Sequence, residues 1–145
     1  MLPLPPLKPG DRGGSHNLVI GRWHRFTQAA FGGFIAGEFN VIGNEGASVS
    51  CGFTNTSSGV LASVSGGENN TASASVAGVS GGENNTASFD DASVSGGEFN
   101  TASGQNASVI GGSFNTAGGF ATVVIGGQNI TDNNNNSIAP QPPFP

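Results

Sequence analysis

Ala62–Val76 reads ASVSGGENNTASASV, and Ala92–Asn106 reads ASVSGGEFNTASGQN. Outward from these two stretches, Gly-Gly recurs at 66–67, 81–82, 96–97, 111–112 and 126–127, always 15 residues apart. The same frame carried backwards falls on Cys51-Gly52, Ala36-Gly37 and Gly21-Arg22. It gives eight blocks of 15 residues with no insertion or deletion, beginning at Asn17, Gly32, Ala47, Ala62, Ala77, Ala92, Ala107 and Thr122. The columns support the frame. The third position is Val19, Phe34, Val49, Val64, Val79, Val94, Val109 and Val124. The ninth is Asn at 40, 55, 70, 85, 100 and 115, and the tenth is Thr56, Thr71, Thr86, Thr101, Thr116 and Thr131.

A short fixed period is the signature of a solenoid. Fifteen residues are too few for a helix pair, and glycine-rich centres disfavour helix. Within a block, A-S-V-S alternates with period two, as a short strand does. Gly-Gly then turns the chain, N-T-A-S forms a second short strand, and a variable turn closes the coil. The expected fold is therefore all-β: a parallel β-solenoid of eight 15-residue coils over residues 17–132. At about 4.8 Å per coil it is roughly 35–40 Å long. Val and Ala point inward, Asn and Thr ladders run along the stack, and stability comes from coil-on-coil contact.

The end coils differ from the middle. The fourth position is Ile20 and Ile35 at one end and Ile110 and Ile125 at the other, with Ser50, Ser65, Ser80 and Ser95 between. Trp23 and Phe26 are expected to cap the open N-terminal end, beside Arg25. Residues 1–16, rich in Pro and Gly, and the Asn/Pro-rich stretch 133–145 are expected to be mobile flanks.

Composition removes several function classes. The chain has 145 residues, 25 Gly and only 9% charged residues. Without a period this would read as a flexible linker. Lys8, Arg12, Arg22 and Arg25 are the only Lys and Arg, all in the first 25 positions, and the net charge is −5. Nucleic-acid binding needs a basic track, so no nucleic-acid partner is expected. No stretch approaches the ~18 apolar residues of a membrane span, so no direct membrane insertion is expected. Met1–Gly10 carries four prolines and no basic segment ahead of an apolar run, so an export signal is expected elsewhere. Cys51 is the single cysteine, which leaves no intrachain disulfide and no zinc spacing.

Asn17-Leu18-Val19-Ile20-Gly21, Ala62-Ser63-Val64-Ser65-Gly66-Gly67 and Ala107-Ser108-Val109-Ile110-Gly111-Gly112 resemble the head repeats of trimeric autotransporter adhesins, the YadA-like head family. The resemblance covers residues 17–132. It implies a left-handed β-roll, association as a homotrimer, an extracellular or cell-surface location, and adhesion to host, matrix or other surfaces. No neck motif, stalk or anchor barrel accompanies the repeats, and most middle coils have Ser where the family carries a second apolar residue.

No enzyme is expected. His16 and His24 sit at the start, away from any nucleophile and orienting group. Cys51 replaces glycine in a turn column, and no phosphate-loop or nucleophile-elbow motif occurs. No cofactor and no metal site are expected. Glu68, Glu83 and Glu98 stack in one column, and a cation there is an alternative to plain solvation. The surface-contact ladder expected for adhesion is Thr56, Thr71, Thr86, Thr101 and Thr116 with Ser73, Ser88 and Ser103. Its mechanism would be many weak contacts summed by avidity. Phe39, Phe99 and Phe114 share the eighth column and form a candidate partner or trimer face. Two further readings stand beside the adhesive one: a structural spacer of a secreted or tail-fibre-like protein with no ligand, and a Thr-ladder ice-binding solenoid.

Overall fold

The computed structural model describes residues 16–27 and 29–140. The expected flanking segment 1–16 lies outside them except for His16, as do residues 141–145. The chain is all-β, a parallel β-solenoid of about eight coils. A nine-stranded parallel sheet holds Leu18–Arg22, Phe34–Glu38, Ser48–Val49, Ser63–Val64, Gly78–Val79, Ser93–Val94, Ser108–Val109, Val123–Val124 and Ile138–Ala139. An eight-stranded parallel sheet holds Arg25–Phe26, Val41–Ile42, Thr56–Ser57 and the corresponding pairs up to Thr131–Asp132. Between them runs a third line of single bridges, Glu38 to Phe53, Glu68, Glu83, Glu98, Ser113 and Gln128.

The strands are only two residues long in most coils because the interior is narrow. The middle coils turn inward a Val and two Ala, as in Val64, Ala62 and Ala72, all fully buried, with Ser57 replacing one Ala in the coil that begins at Ala47. The fourth inward residue is polar. Asn40, Asn55, Asn70, Asn85, Asn100 and Asn115 are all 0% exposed, and their hydrogen bonds explain how that is tolerated. Asn85 Nδ2 donates to Gly81 O at 2.9 Å and to Gly97 O at 2.9 Å, and its Oδ1 accepts from Asn100 N at 2.9 Å. Copies of this set recur from coil to coil. The Asn ladder thus satisfies backbone groups at the inner turn that would otherwise be buried without partners.

Backbone bonding ties each coil in both directions. Most N–H groups donate to the following coil, as Ser63 N does to Ala77 O at 2.9 Å and Thr71 N to Asn85 O at 2.8 Å. Residues with left-handed backbone donate to the preceding coil: Asn69 N to Phe53 O at 3.1 Å, and Val76 N to Val60 O at 2.9 Å. Glycine is required at one turn column. Gly82 has φ +84°, and a Cβ there would stand 2.1 Å from Gly97 O. The preceding Gly81 faces open space, which is why Cys51 is accommodated in its column.

Two expectations about the frame are corrected. Leu18 pairs with Phe34, 16 residues on, and Phe34 pairs with Ser48, 14 on; only then does the step settle at 15, as in Ser48 with Ser63. Ile35, not Phe34, therefore lies in the Val column between Val19 and Val49, fully buried. Ala36, not Ile35, takes the outward place. The glycine column decides the register. Gly21 pairs with Gly37, and both are left-handed, at φ +114° and +98°. A strict 15-residue frame would force Arg22 into that column beside Gly37. The deviations of +1 and −1 cancel, so the frame counted from Asn17 still lands on Ala47.

The second correction concerns the C-terminal boundary. Ile138–Ala139 pairs with Val123–Val124, so stacked strands continue beyond the expected edge at 132. The Asn133–Asn136 run is the turn of a last coil. Asn136 has φ +55° and donates its N–H to Phe120 O at 2.7 Å, as Val76 does to Val60. Asparagine tolerates the left-handed backbone that this turn demands. Asp132 occupies the inner Ala column at this end, 5% exposed. Ser137 Oγ donates to its Oδ2 at 2.7 Å, and Asn134 N and Nδ2 donate to its Oδ1 at 3.0 Å each. These bonds, the Ser137 one foremost and then that of the Asn134 N–H, hold its carboxyl below its ordinary pKa, against a smaller opposing effect of burial.

Candidate binding face

The Thr column lies on the outer side of the eight-stranded sheet. Thr56, Thr71, Thr86, Thr101, Thr116 and Thr131 pair one with the next in exact succession of coils. Their neighbours within each strand, such as Ala72 and Ala87, point inward and are buried. The alternation places Thr and the residue two further on side by side on the outside. Ser73 and Ser88 are exposed there; Ser103 and Thr56 to Thr116 are half-buried. The side-chain hydroxyls of Thr71, Thr86, Thr101, Ser73, Ser88 and Ser103 make no hydrogen bond to other described residues. The result is two parallel rows of hydroxyls. They repeat at about 4.8 Å along the stack and stand roughly 6.6 Å apart within a coil. The hydroxyls of Thr71, Thr86 and Thr101 do not bond along the stack, whereas Ser93 Oγ on the nine-stranded sheet donates to Ser108 Oγ at 3.1 Å.

The three phenylalanines do not form one face. Phe99 and Phe114 stack, with centroids 4.9 Å apart and planes inclined by 11°. Phe39 lies several coils away, beyond Thr54, Asn69 and Asn84, which share its column. It stacks instead on Trp23 at 4.9 Å and meets Phe53 edge-on at 5.4 Å. All three phenylalanines have left-handed backbone, at φ 56°, 53° and 56° for Phe39, Phe99 and Phe114. That conformation is costly for an aromatic residue. It aims each ring outward, and the N–H is paired with the preceding coil, as in Phe99 N to Glu83 O at 3.0 Å.

The expected cap is divided. Phe26 heads the inner column above Ile42. Trp23, left-handed at φ 58° and 57% exposed, sits on the outer corner instead of over the interior. The Arg22 guanidinium lies 4.5 Å from the Trp23 ring, and Arg22 Nε is 3.0 Å from Glu38 Oε1. That exposed pair contributes about 0–1 kcal/mol. Sequence reasoning missed the Trp23–Phe39–Phe53 cluster, because Phe53 stands one column before Phe39. It also missed the second turn corner, where Val60, Leu61, Val76, Phe89 and Phe120 are exposed. The turn column is variable in type, and variability hid its apolar character.

Cys51 is exposed and its thiol donates to Ser65 O at 3.0 Å. Glu68, Glu83 and Glu98 do share one line; Asn84 Nδ2 donates to Glu83 Oε1 at 3.0 Å. Among the described residues, no three His, Cys, Asp or Glu side chains converge as a metal cage would require. No helix there is long and apolar enough to cross a membrane. Against known proteins, neither a protein-family model nor a curated protein matches the chain.

Proposed function

We propose that the chain is a non-enzymatic adhesive repeat domain, the head or fibre segment of a trimeric extracellular adhesin. It meets host, matrix or other surfaces through the Thr/Ser rows. The observation that supports this most is the registered double row of hydroxyls on the eight-stranded sheet, without hydrogen bonds to other described residues at Thr71, Thr86, Thr101, Ser73, Ser88 and Ser103. One hydroxyl contact is weak, but a rigid array repeated at coil spacing adds contacts without further ordering cost. The exposed aromatic pair Phe99–Phe114 is suited to burial against a second copy.

The test has two parts. Light scattering after size exclusion of the full chain is expected to give three times the chain mass; a folded monomer would sink the trimeric head. Beads coated with the chain are expected to hold matrix-coated surfaces. Replacing Ser73, Ser88 and Ser103 by Lys should abolish that hold while the β spectrum is unchanged. Unaltered binding would remove the face from the mechanism and leave a spacer. A second reading rests on the uninterrupted run of six Thr in register: binding to ice. Altered crystal shape in an ice-growth assay, lost on Thr86→Lys, would favour it.

A further inference from the structure

His24 occupies, in the first coil, the place that asparagine holds in the next six. Arg22 lies against Glu38 and Arg25 against Val41, so His24 stands against Asn40, the head of the Asn ladder. A ladder Asn donates through Nδ2 to the carbonyl four residues back, and accepts through Oδ1 from the Asn N–H of the next coil. His24 reproduces the first bond: Nε2 is 3.1 Å from Ile20 O, four residues back. A carbonyl only accepts, so Nε2 carries the hydrogen and Nδ1 of the neutral ring is a bare acceptor. That Nδ1 is buried without a hydrogen-bond partner. By register it stands where an Asn Oδ1 would take the Asn40 N–H.

We propose that His24 is an acid-sensitive latch on the first coil. The neutral ring imitates the ladder asparagine; the imidazolium cannot. A second proton has only Nδ1 to occupy. There it becomes a buried N–H with no acceptor among the described residues. The charged groups around it give no relief. Its own coil supplies Arg22 and Arg25, both cations. The Phe34–Glu38 strand supplies Glu38, already paired with Arg22 at 3.0 Å. The Val41–Ile42 strand supplies none. Acidification that protonates the ring therefore releases the Leu18–Phe26 coil. That coil covers the buried Ile35 and Ile42. Its release opens an apolar parallel edge at Phe34–Glu38 and Val41–Ile42.

Trp23 is the only tryptophan and stacks on Phe39 across the junction in question, so its fluorescence reports the latch. The full chain is titrated from pH 8 to 4.5, with protection of the Arg25 amide, which donates to Asn40 O at 2.9 Å across that junction, followed in parallel. The wild type is expected to show a red shift of Trp23 emission and at least a tenfold loss of amide protection, taken relative to the intrinsic exchange rate at each pH, on acidification. His24→Asn completes the ladder, and both signals should then stay flat, as in the wild type at neutral pH. His16→Asn should titrate as the wild type does. His24→Gln, which also carries both a donor and an acceptor without a titrating proton, serves if His24→Asn fails to fold. A flat wild type, a His24 variant that still titrates, or a His16→Asn chain that does not would each overturn the proposal.

Discussion

Replacing Asn85 by Ala removes one rung of the internal ladder and nothing from the surface. Three hydrogen bonds go: Nδ2 to Gly81 O, Nδ2 to Gly97 O, and Asn100 N to Oδ1, each 2.9 Å. The consequences differ. Gly97 O keeps the Glu83 N–H at 3.0 Å, so it is not orphaned. Gly81 O and the Asn100 N–H are, and Asn100 is 0% exposed. Each buried group left unpaired costs about 1–3 kcal/mol. With the half-solvated Gly81 carbonyl at the low end, the loss is about 3–4 kcal/mol. At ~2–4 °C per kcal/mol for a chain of this size, Tm falls by about 10 °C. Stacked coils unfold locally, so amide exchange is the sharper assay: the Asn100 amide is expected to lose protection first, with Ser63 little affected. An Asn85→Ala chain that melts within about 2 °C of the wild type, with Asn100 still protected, would refute the claim that this ladder holds the coils together.

The Ala column offers the reverse experiment. Ser57 Oγ is buried in it without a partner, so Ser57→Ala is expected to stabilise by about 1 kcal/mol, seen as a higher Tm. The two glycines of one turn should behave oppositely under alanine substitution. Gly82→Ala meets a left-handed backbone and a carbonyl at 2.1 Å and should lower the urea midpoint severely. Gly81→Ala meets open space and should stay within about 0.5 kcal/mol of wild type. Asp132 gives a pH dependence at the C-terminal end. Its folded carboxyl titrates below the ordinary 3.8, so its contribution is fully present above that pH and is lost as pH falls through its folded value. Protection of the Val123 amide, taken relative to its intrinsic exchange rate, should fall below about pH 3.8, and Asp132→Asn should flatten that acid limb.

Period, fold class and inward residues of the middle coils were legible because identical coils make identical environments. A column of Val or Ala can only be an interior, and a column of Gly only a turn that excludes Cβ. The ladder function of Asn40 to Asn115 was readable as a column, but its bonds to backbone needed the turn geometry. The first coil misled because one added and one missing residue cancel. Phe34 and Ile35 are both apolar, so hydropathy could not choose between them; the pairing of Gly21 with Gly37 did. The last coil misled because Asn133–Asn136 has the composition of a disordered tail, while a left-handed turn selects the same residue. For the binding face, Thr and Ser were found by alternation alone. The aromatic cluster was not, since Trp23, Phe39 and Phe53 meet only through the altered register and neighbouring columns.

Because the hydrogen bonds of a middle coil stay within it or reach only the coil before or after it, such a coil carries no information about its position in the rod. An in-frame duplication or loss of one coil's coding unit joins two surfaces that already fit. The protein changes length in steps of about 4.8 Å while its faces continue unbroken. Reach is then a property that unequal recombination between near-identical repeats can alter, without any new fold having to be found.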